Sequence, residues 1–310
     1  MIHMNTRRRR KKKKRLTPVL FFALLFFGVY LLWPSGGADS QALPSRPGEN
    51  GQQISLLSRQ VAPQPSGPPG FPVQLPLSEI IDTQYLKLVN RELAVHTPVD
   101  PARLVGAWPD MAVRATDILL HETAQQAIFA LYQAAGQAGI NNLFIASGYR
   151  SAQEQRGLYE NATNRFYVLP PGHSEHQLGL AADILASGLY HTGGMRGSNE
   201  ARFLAENAPR FGLVLRYPQH KQDITGVAYE PWHFRYVGRI HAHIMGQYDF
   251  VLEEYIPFLQ GQGSYQTVWE GRSYTILYQR PENGMIFVPE GQNFWLSSTN
   301  TGGYILTAWT

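Results

Sequence analysis

The sequence predicts an α+β protein, and three observations predict it. Ala124, Ile128, Leu131, Ala135 and Ala138 recur at spacings of four, three, four and three, which is one face of an amphipathic helix. A short apolar run within "NNLFIASGYRS" (141–151) leads into a glycine-containing turn and reads as a strand, and "LAADI" (180–184) reads as another after the turn at Gly179. After about Gly261, brief β-branched and aromatic runs are separated by Glu-Gly, Asn-Gly and Gly-Gly, the pattern of a small β-meander of three or more hairpin-linked strands.

Taken in order, the 310 residues begin with a basic tail, in which Arg7 to Arg15 are nine consecutive positive charges. Residues 16–33, "LTPVLFFALLFFGVYLLW", then carry no charge and end in a Trp suited to a membrane interface. This segment predicts a transmembrane anchor, with residues 1–15 cytoplasmic and everything after it extracellular, because positive flanks stay inside. The competing reading is a cleaved signal peptide with Ala38 as a weak cleavage site, which would make the protein secreted. Residues 34–77 are rich in Pro, Gly, Ser and Gln and read as an extended stalk.

A folded domain is expected over 78–260. Its first helix carries the stripe above and ends at Gly139, and "NNLFIASGYRS" follows as a strand running into a turn with Tyr149 and Arg150. A second helix is expected over 198–212, with Ser198 as N-cap and Glu200 in the first turn. Residues 261–310 are expected to form the β-rich segment.

Composition removes several functions. Cysteine is absent, so disulfide scaffolds and Cys-ligated zinc are excluded, and any metal must be held by His and carboxylates. The net charge of +4 is misleading: outside the basic run 27 − 9 = 18 Lys and Arg face 23 Asp and Glu. A body at −5 lacks the basic stripe that nucleic-acid binding requires, so no such partner is expected. The basic run reads as a topology signal with anionic lipid binding as a secondary consequence.

The chemistry concentrates in two places. "PPGHSEHQLGLAADI" (170–184) puts titratable groups among small and apolar residues, and His176 and Asp183 lie seven apart within it. A helix would place them on one face, while Gly179 favours a turn leading into a strand; either geometry can converge two ligands on one ion. In "YEPWHFRYVG" (229–238), Glu230 and His233 are three apart, and Pro231 offers the bend that would bring them to one side. Two His and one Asp would leave an open tetrahedral position, as in catalytic zinc sites, and a nearby free carboxylate can take a proton from an attacking water.

With "SGYRSAQEQ" (147–155), "SEHQLGLAADI" (174–184) and "EPWHFRYVG" (230–238) in that order and spacing, the chain resembles the VanY-type D-alanyl-D-alanine carboxypeptidases. That family belongs to the zinc metallopeptidase group of lysostaphin and the hedgehog signalling domain. The resemblance runs from about residue 85 to 256 and leaves the C-terminal β segment outside.

The resemblance implies a central antiparallel sheet with flanking helices and a zinc cleft. It implies His176, Asp183 and His233 as zinc ligands, Glu230 as catalytic base, and Arg150 as the cation that steadies substrate and developing oxyanion. Ser174 and Gln155 match positions that line the substrate pocket. The implied reaction is hydrolysis of the C-terminal D-Ala from peptidoglycan stem peptides, with no protein partner implied. The alternatives are an L,D-carboxypeptidase or cell-wall endopeptidase on the same fold, a non-catalytic zinc-containing wall-binding module, and a wall adhesin or scaffold whose function lies in the β segment. His173, His191, His220, His241 and His243 are read as non-ligands, and Trp232, Phe234 and Tyr236 as sheet packing or cleft wall.

Overall fold

The computed structural model describes residues 67–189 and 192–310. The expected tail and anchor, most of the stalk, and His191 lie outside these residues. In chain order the described residues form β1 (Val73–Pro76), β2 (Leu104–Gly106), β3 (Leu119–His121), α1 (Glu122–Gln137), β4 (Leu143–Ser147), α2 (Ala152–Asn161) and β5 (Ala181–Ala186). They continue as a one-turn α3 (Thr192–Met195), α4 (Asn199–Asn207), β6 (Leu213–Leu215), a one-turn α5 (Gln222–Thr225), β7 (His233–Tyr236), α6 (Arg239–Tyr248) and α7 (Leu252–Gln262). Five strands complete the order: β8 (Ser264–Trp269), β9 (Arg272–Gln279), β10 (Met285–Val288), β11 (Asn293–Ser298) and β12 (Tyr304–Trp309).

The central sheet has the strand order β4-β5-β7-β6, antiparallel throughout. Helix α1 forms where the apolar stripe predicts it, and its Ala124, Ile128, Leu131 and Ala135 are all fully buried. Ala138, the last residue of that stripe, is instead the exposed C-cap, and Gly139 takes φ 81° just beyond it. The second expected helix divides: α4 starts at the Ser198 cap, whose side chain accepts from the Ala201 amide, and a 3-10 turn over Ala208–Phe211 follows. Pro209 enforces that division, because it has no N–H to continue the α-helical ladder.

The C-terminal strands are not a simple meander. Their order is β11-β12-β9-β8, with β12 inserted between β11 and β9, while β10 leaves this sheet to pair with β1. Phe71 and β1 therefore belong to packed structure inside the stretch read as stalk: Phe71 is buried with Leu75, Ile286, Val288, Phe294 and Leu306 in a second apolar cluster. The opposite side chains of the sheet, among them Ile276, Trp295, Ile305 and Trp309, join the main core with the central sheet and its helices. Alternation along β9, β11 and β12 thus feeds two cores, and neither face of these strands is left open.

Candidate active site

Strand register assembles the site. Asp183 on β5 sits opposite His233 on β7 and opposite Ser147 on β4, so three adjacent strands deliver it at one level of the sheet. His176 comes from the 3-10 turn Glu175–Leu178 that precedes β5, and Gly179 ends that turn at φ 67°. A side chain at Gly179 would be strained, and its Cβ would press on Leu104 at 2.8 Å. Arg150 follows β4 after Gly148, where any Cβ would collide with the Leu119 carbonyl oxygen. The Gly148 carbonyl accepts from His176 Nδ1 at 2.6 Å.

With Nδ1 so engaged, His176 presents Nε2 to Asp183 Oδ2 at 3.4 Å. His233 Nδ1 lies 3.2 Å from Asp183 Oδ1, and the two imidazoles meet edge to face at 5.0 Å. Among the described residues, His176, Asp183 and His233 form the one group of metal-competent side chains found, with ligand atoms all within 4.8 Å of one another. Two ligands each 2.0–2.1 Å from a tetrahedral ion stand roughly 3.3 Å apart, so these spacings suit a zinc-sized cation.

Glu230 does not continue β7. It lies in a turn closed by the His233 amide on the Glu230 carbonyl, 3.2 Å, and this brings its carboxylate to 3.7 Å from His233 Nδ1. The bend expected at Pro231 thus resolves the odd spacing. Arg150 Nη2 stands 3.8 Å from Asp183 Oδ2 and donates to Ser147 Oγ at 2.9 Å. Gln155 lines the cleft, but both ends of its amide are committed: Oε1 accepts from Arg150 Nη1 at 2.7 Å and Nε2 donates to the Leu169 carbonyl at 2.5 Å. It therefore orients Arg150. Ser174 is buried at the mouth of the 3-10 turn, and all seven residues singled out by sequence line one cleft of roughly 220 Å³. Tyr167, Leu169, Val227 and Trp232 give it apolar walls.

The electrostatics follow from burial. Desolvation pushes the Glu230 carboxyl up to about 8 against the pull of His233. Burial opposes ionisation of Asp183 as well, yet His176 and His233 hold it well below the usual carboxylate range. Burial likewise disfavours charge on His233, but hydrogen bonds to Asp183 and Glu175 prevail and raise it to about 9. His176 is lowered by burial and by Arg150.

Sequence reasoning missed the layer behind His233. Glu175 is fully buried and faces His233 Nε2 at 3.4 Å through one carboxylate oxygen. Its other oxygen receives Arg216 Nε at 2.8 Å and pairs with Arg235 Nη1 at 2.9 Å. Arg216 in turn forks onto both oxygens of Glu253 on α7, at 2.7 and 2.8 Å. Removing one partner of such a buried set typically costs about 3–5 kcal/mol. The available signal was arginine inside the apolar runs "LVLRYP" and "HFRY", since a charge there must find a partner. Of the five histidines set aside, four are described and lie outside the cleft: His173 bonds the Asn90 carbonyl, His220 pairs with Asp249, His243 stacks on Trp269, and His241 is fully buried between Tyr255 and Thr307.

Comparison with known proteins places this geometry. Residues 117–239 match the VanY family, described as D-alanyl-D-alanine carboxypeptidase. A D-alanyl-D-alanine carboxypeptidase of Enterococcus faecium is 36% identical over 193 residues, covering 62% of each chain, so this chain spans about three fifths of that relative's length. The bifunctional D-Ala-D-Ala dipeptidase and D-Ala-D-Ala carboxypeptidase VanXYC of Enterococcus gallinarum is 34% identical over 188 residues, 56% of this chain and 94% of the relative. Among solved structures, the vancomycin-resistance D,D-dipeptidase VanXYg in complex with a D-Ala-D-Ala phosphinate analogue superposes with a TM-score of 0.66 at 29% identity. That match covers 77% of this chain and 98% of that one. It reaches well beyond residues 117–239, so the likeness of fold is wider than the family match.

Proposed function

Since the chain belongs to the VanY family of D-alanyl-D-alanine carboxypeptidases, we propose that it is a zinc-dependent hydrolase that removes the C-terminal D-Ala from peptidoglycan stem peptides outside the cell membrane. The observation that carries this reading is the convergence of His176, Asp183 and His233 in one cleft, with the buried carboxyl of Glu230 against His233 and Arg150 beside Asp183. The donor set fits zinc, with His176 Nε2, Asp183 and His233 Nδ1 as the atoms that would hold it. When bound, zinc supplies Lewis acidity, which activates water at neutral pH and polarises the scissile carbonyl.

The chain's own residues divide the remaining work. Glu230, buried and with no arginine or lysine hydrogen-bonded to it among the described residues, takes the proton from the attacking water and returns it to the leaving amine. Arg150, fixed by Ser147 and Gln155, offers a guanidinium to the substrate carboxylate and to the negative charge that develops on the carbonyl oxygen. The apolar walls suit the methyl side chains of alanine and exclude bulk water.

Mass spectrometry of defined pentapeptide, tetrapeptide and D-Ala-D-Ala dipeptide substrates, with and without a chelator, tests this. Loss of one alanine from the pentapeptide, abolished by chelation and restored by zinc, is expected. Cleavage of the tetrapeptide alone would establish the L,D alternative, and no turnover at all would leave a binding module. Dipeptide cleavage is a specific second outcome, because both VanXYC and VanXYg are described as dipeptidases. For the extracellular placement, protease added to intact cells should degrade the folded head and spare residues 1–15. Recovery of the protein in the cytoplasm would refute it.

A further inference from the structure

We infer that Glu175 is a positioning residue that fixes the tautomer of His233, so that Nδ1 is the nitrogen bared toward the cleft. The inference rests on the reading of the site as a zinc centre. The two ring nitrogens of His233 face different carboxylates: Nδ1 looks onto Asp183 and Glu230, and Nε2 onto Glu175. A ring nitrogen that binds a cation must be unprotonated, so the ring's remaining proton has to sit on Nε2. With two guanidinium groups on its other oxygen, the Glu175 carboxylate accepts through the oxygen that faces His233, and it therefore holds a proton on Nε2.

Glu175 is aimed by its other oxygen. Arg216 and Arg235 both reach that oxygen, at 2.8 and 2.9 Å, and the side chain is fully buried. Arg235 is anchored in its turn by Nη2 on the carbonyls of Gln84, Tyr85 and Lys87. Glu175 is also the neighbour of His176 in the same 3-10 turn, so one short segment supplies a candidate ligand and the group that orients another. Outer groups of this kind typically alter metal affinity by about 10–100-fold when removed.

The substitution Glu175→Gln makes a specific demand on the ring. Two guanidinium groups would capture the amide oxygen, leaving the NH₂ directed at His233 Nε2. That nitrogen would then have to accept, moving the proton to Nδ1 and blocking the nitrogen needed for the metal. Glu253→Gln is the control, since Glu253 touches Arg216 but not His233.

The experiment is a zinc titration of the full chain in competition with a chromophoric chelator, with thermal unfolding of each variant alongside. Glu175→Gln should weaken zinc binding by about 10–100-fold. Glu253→Gln should lower the unfolding temperature yet keep zinc affinity within about twofold, which a merely structural role for the cluster would not produce. Equal affinity in Glu175→Gln and wild type, or equal loss in both variants, would overturn the inference while leaving the zinc centre standing. A wild-type protein that takes up no zinc would overturn the zinc centre itself and this inference with it. Should Glu175→Gln fail to fold, ¹⁵N NMR of the His233 ring in the zinc-loaded wild type decides the matter: a protonated Nε2 is expected, and a ligating Nε2 would end the idea.

Discussion

The Glu230 carboxyl is about 5% exposed, and burial raises it to about 8, whereas Glu175, equally buried, is held far below the ordinary range by Arg216 and Arg235 against the same desolvation. Two glutamates on either side of one imidazole are thus pushed in opposite directions, and in the proposed reaction only Glu230 exchanges a proton. Glu230→Gln should keep zinc content near wild type while activity falls by roughly 10² or more, mainly in kcat, because the lost acceptor acts in the transition state. Arg150→Ala should change KM as well as kcat, since the guanidinium meets the ground-state carboxylate too. Metal analysis with steady-state kinetics checks both, and a zinc-free Glu230→Gln protein would make Glu230 a ligand. At this scale His176, Asp183, Glu230 and His233 were legible because titratable groups are costly among small and apolar residues, whereas Arg150, Gln155 and Ser174 came from the family resemblance. Glu175 was not, because its partners Arg216 and His233 are 41 and 58 positions away and only strand register brings them near.

Between β4 and the cleft, helix α2 is held at its start by a reciprocal cap: the Glu154 amide donates to Ser151 Oγ, and the Ser151 amide donates back to the Glu154 carboxylate at 2.7 Å. The sequence carries the signature openly as Ser151-Ala-Gln-Glu154, yet it sits inside a family motif, where capping is easily overlooked. The helix has a single buried residue, Gln155, so packing does little to hold it. Ser151→Ala should thus cost about 0.5–2 kcal/mol. Gln155 holds Arg150, so the helix also sets the guanidinium's place. A modest drop in unfolding temperature together with a raised KM is the expected pair of results. A stability loss with unchanged KM would show that Arg150 keeps its place without α2. Helix α1 was readable from apolar spacing and α4 from its Ser198 cap, whereas α2, α6 and α7 were not read from the sequence. The pairing of β10 with β1 was not legible either, because hairpin signals specify turns and leave the choice of sheet to the two cores.

The C-terminal strands and the site share one structure. Ser297 Oγ accepts the Leu86 amide, Asn300 donates to the Leu88 and Ala94 carbonyls, and Tyr85 packs between Tyr236 of β7 and Trp295 of β11. The same 84–87 segment supplies the carbonyls that anchor Arg235, so strands outside the family match support the ion cluster behind His233. Deleting residues 264–310 should therefore give an insoluble or unfolded chain; a soluble, zinc-binding truncate would show independence. The seam has its own pH dependence. His241 on α6 bridges Tyr255 and Thr307, and burial lowers it to about 3, while burial and then Arg103 lower His121 to about 4. In the unfolded chain both take protons near 6.5. Between that value and the folded ones the unfolded state binds more protons at these two sites, so their contribution to stability is complete above about 6.5 and declines as pH falls. Each such histidine contributes a slope of up to about 1.4 kcal/mol per pH unit in that window. His241→Gln keeps a donor and an acceptor between Tyr255 and Thr307 but has no proton to take up. Urea unfolding at a series of pH values between 6.5 and 4.5 should therefore show a shallower slope for the variant, by close to one proton, whatever its stability at neutral pH. Parallel slopes for the two proteins would mean that His241 is protonated in the fold, and that the junction between α6 and β12 admits water.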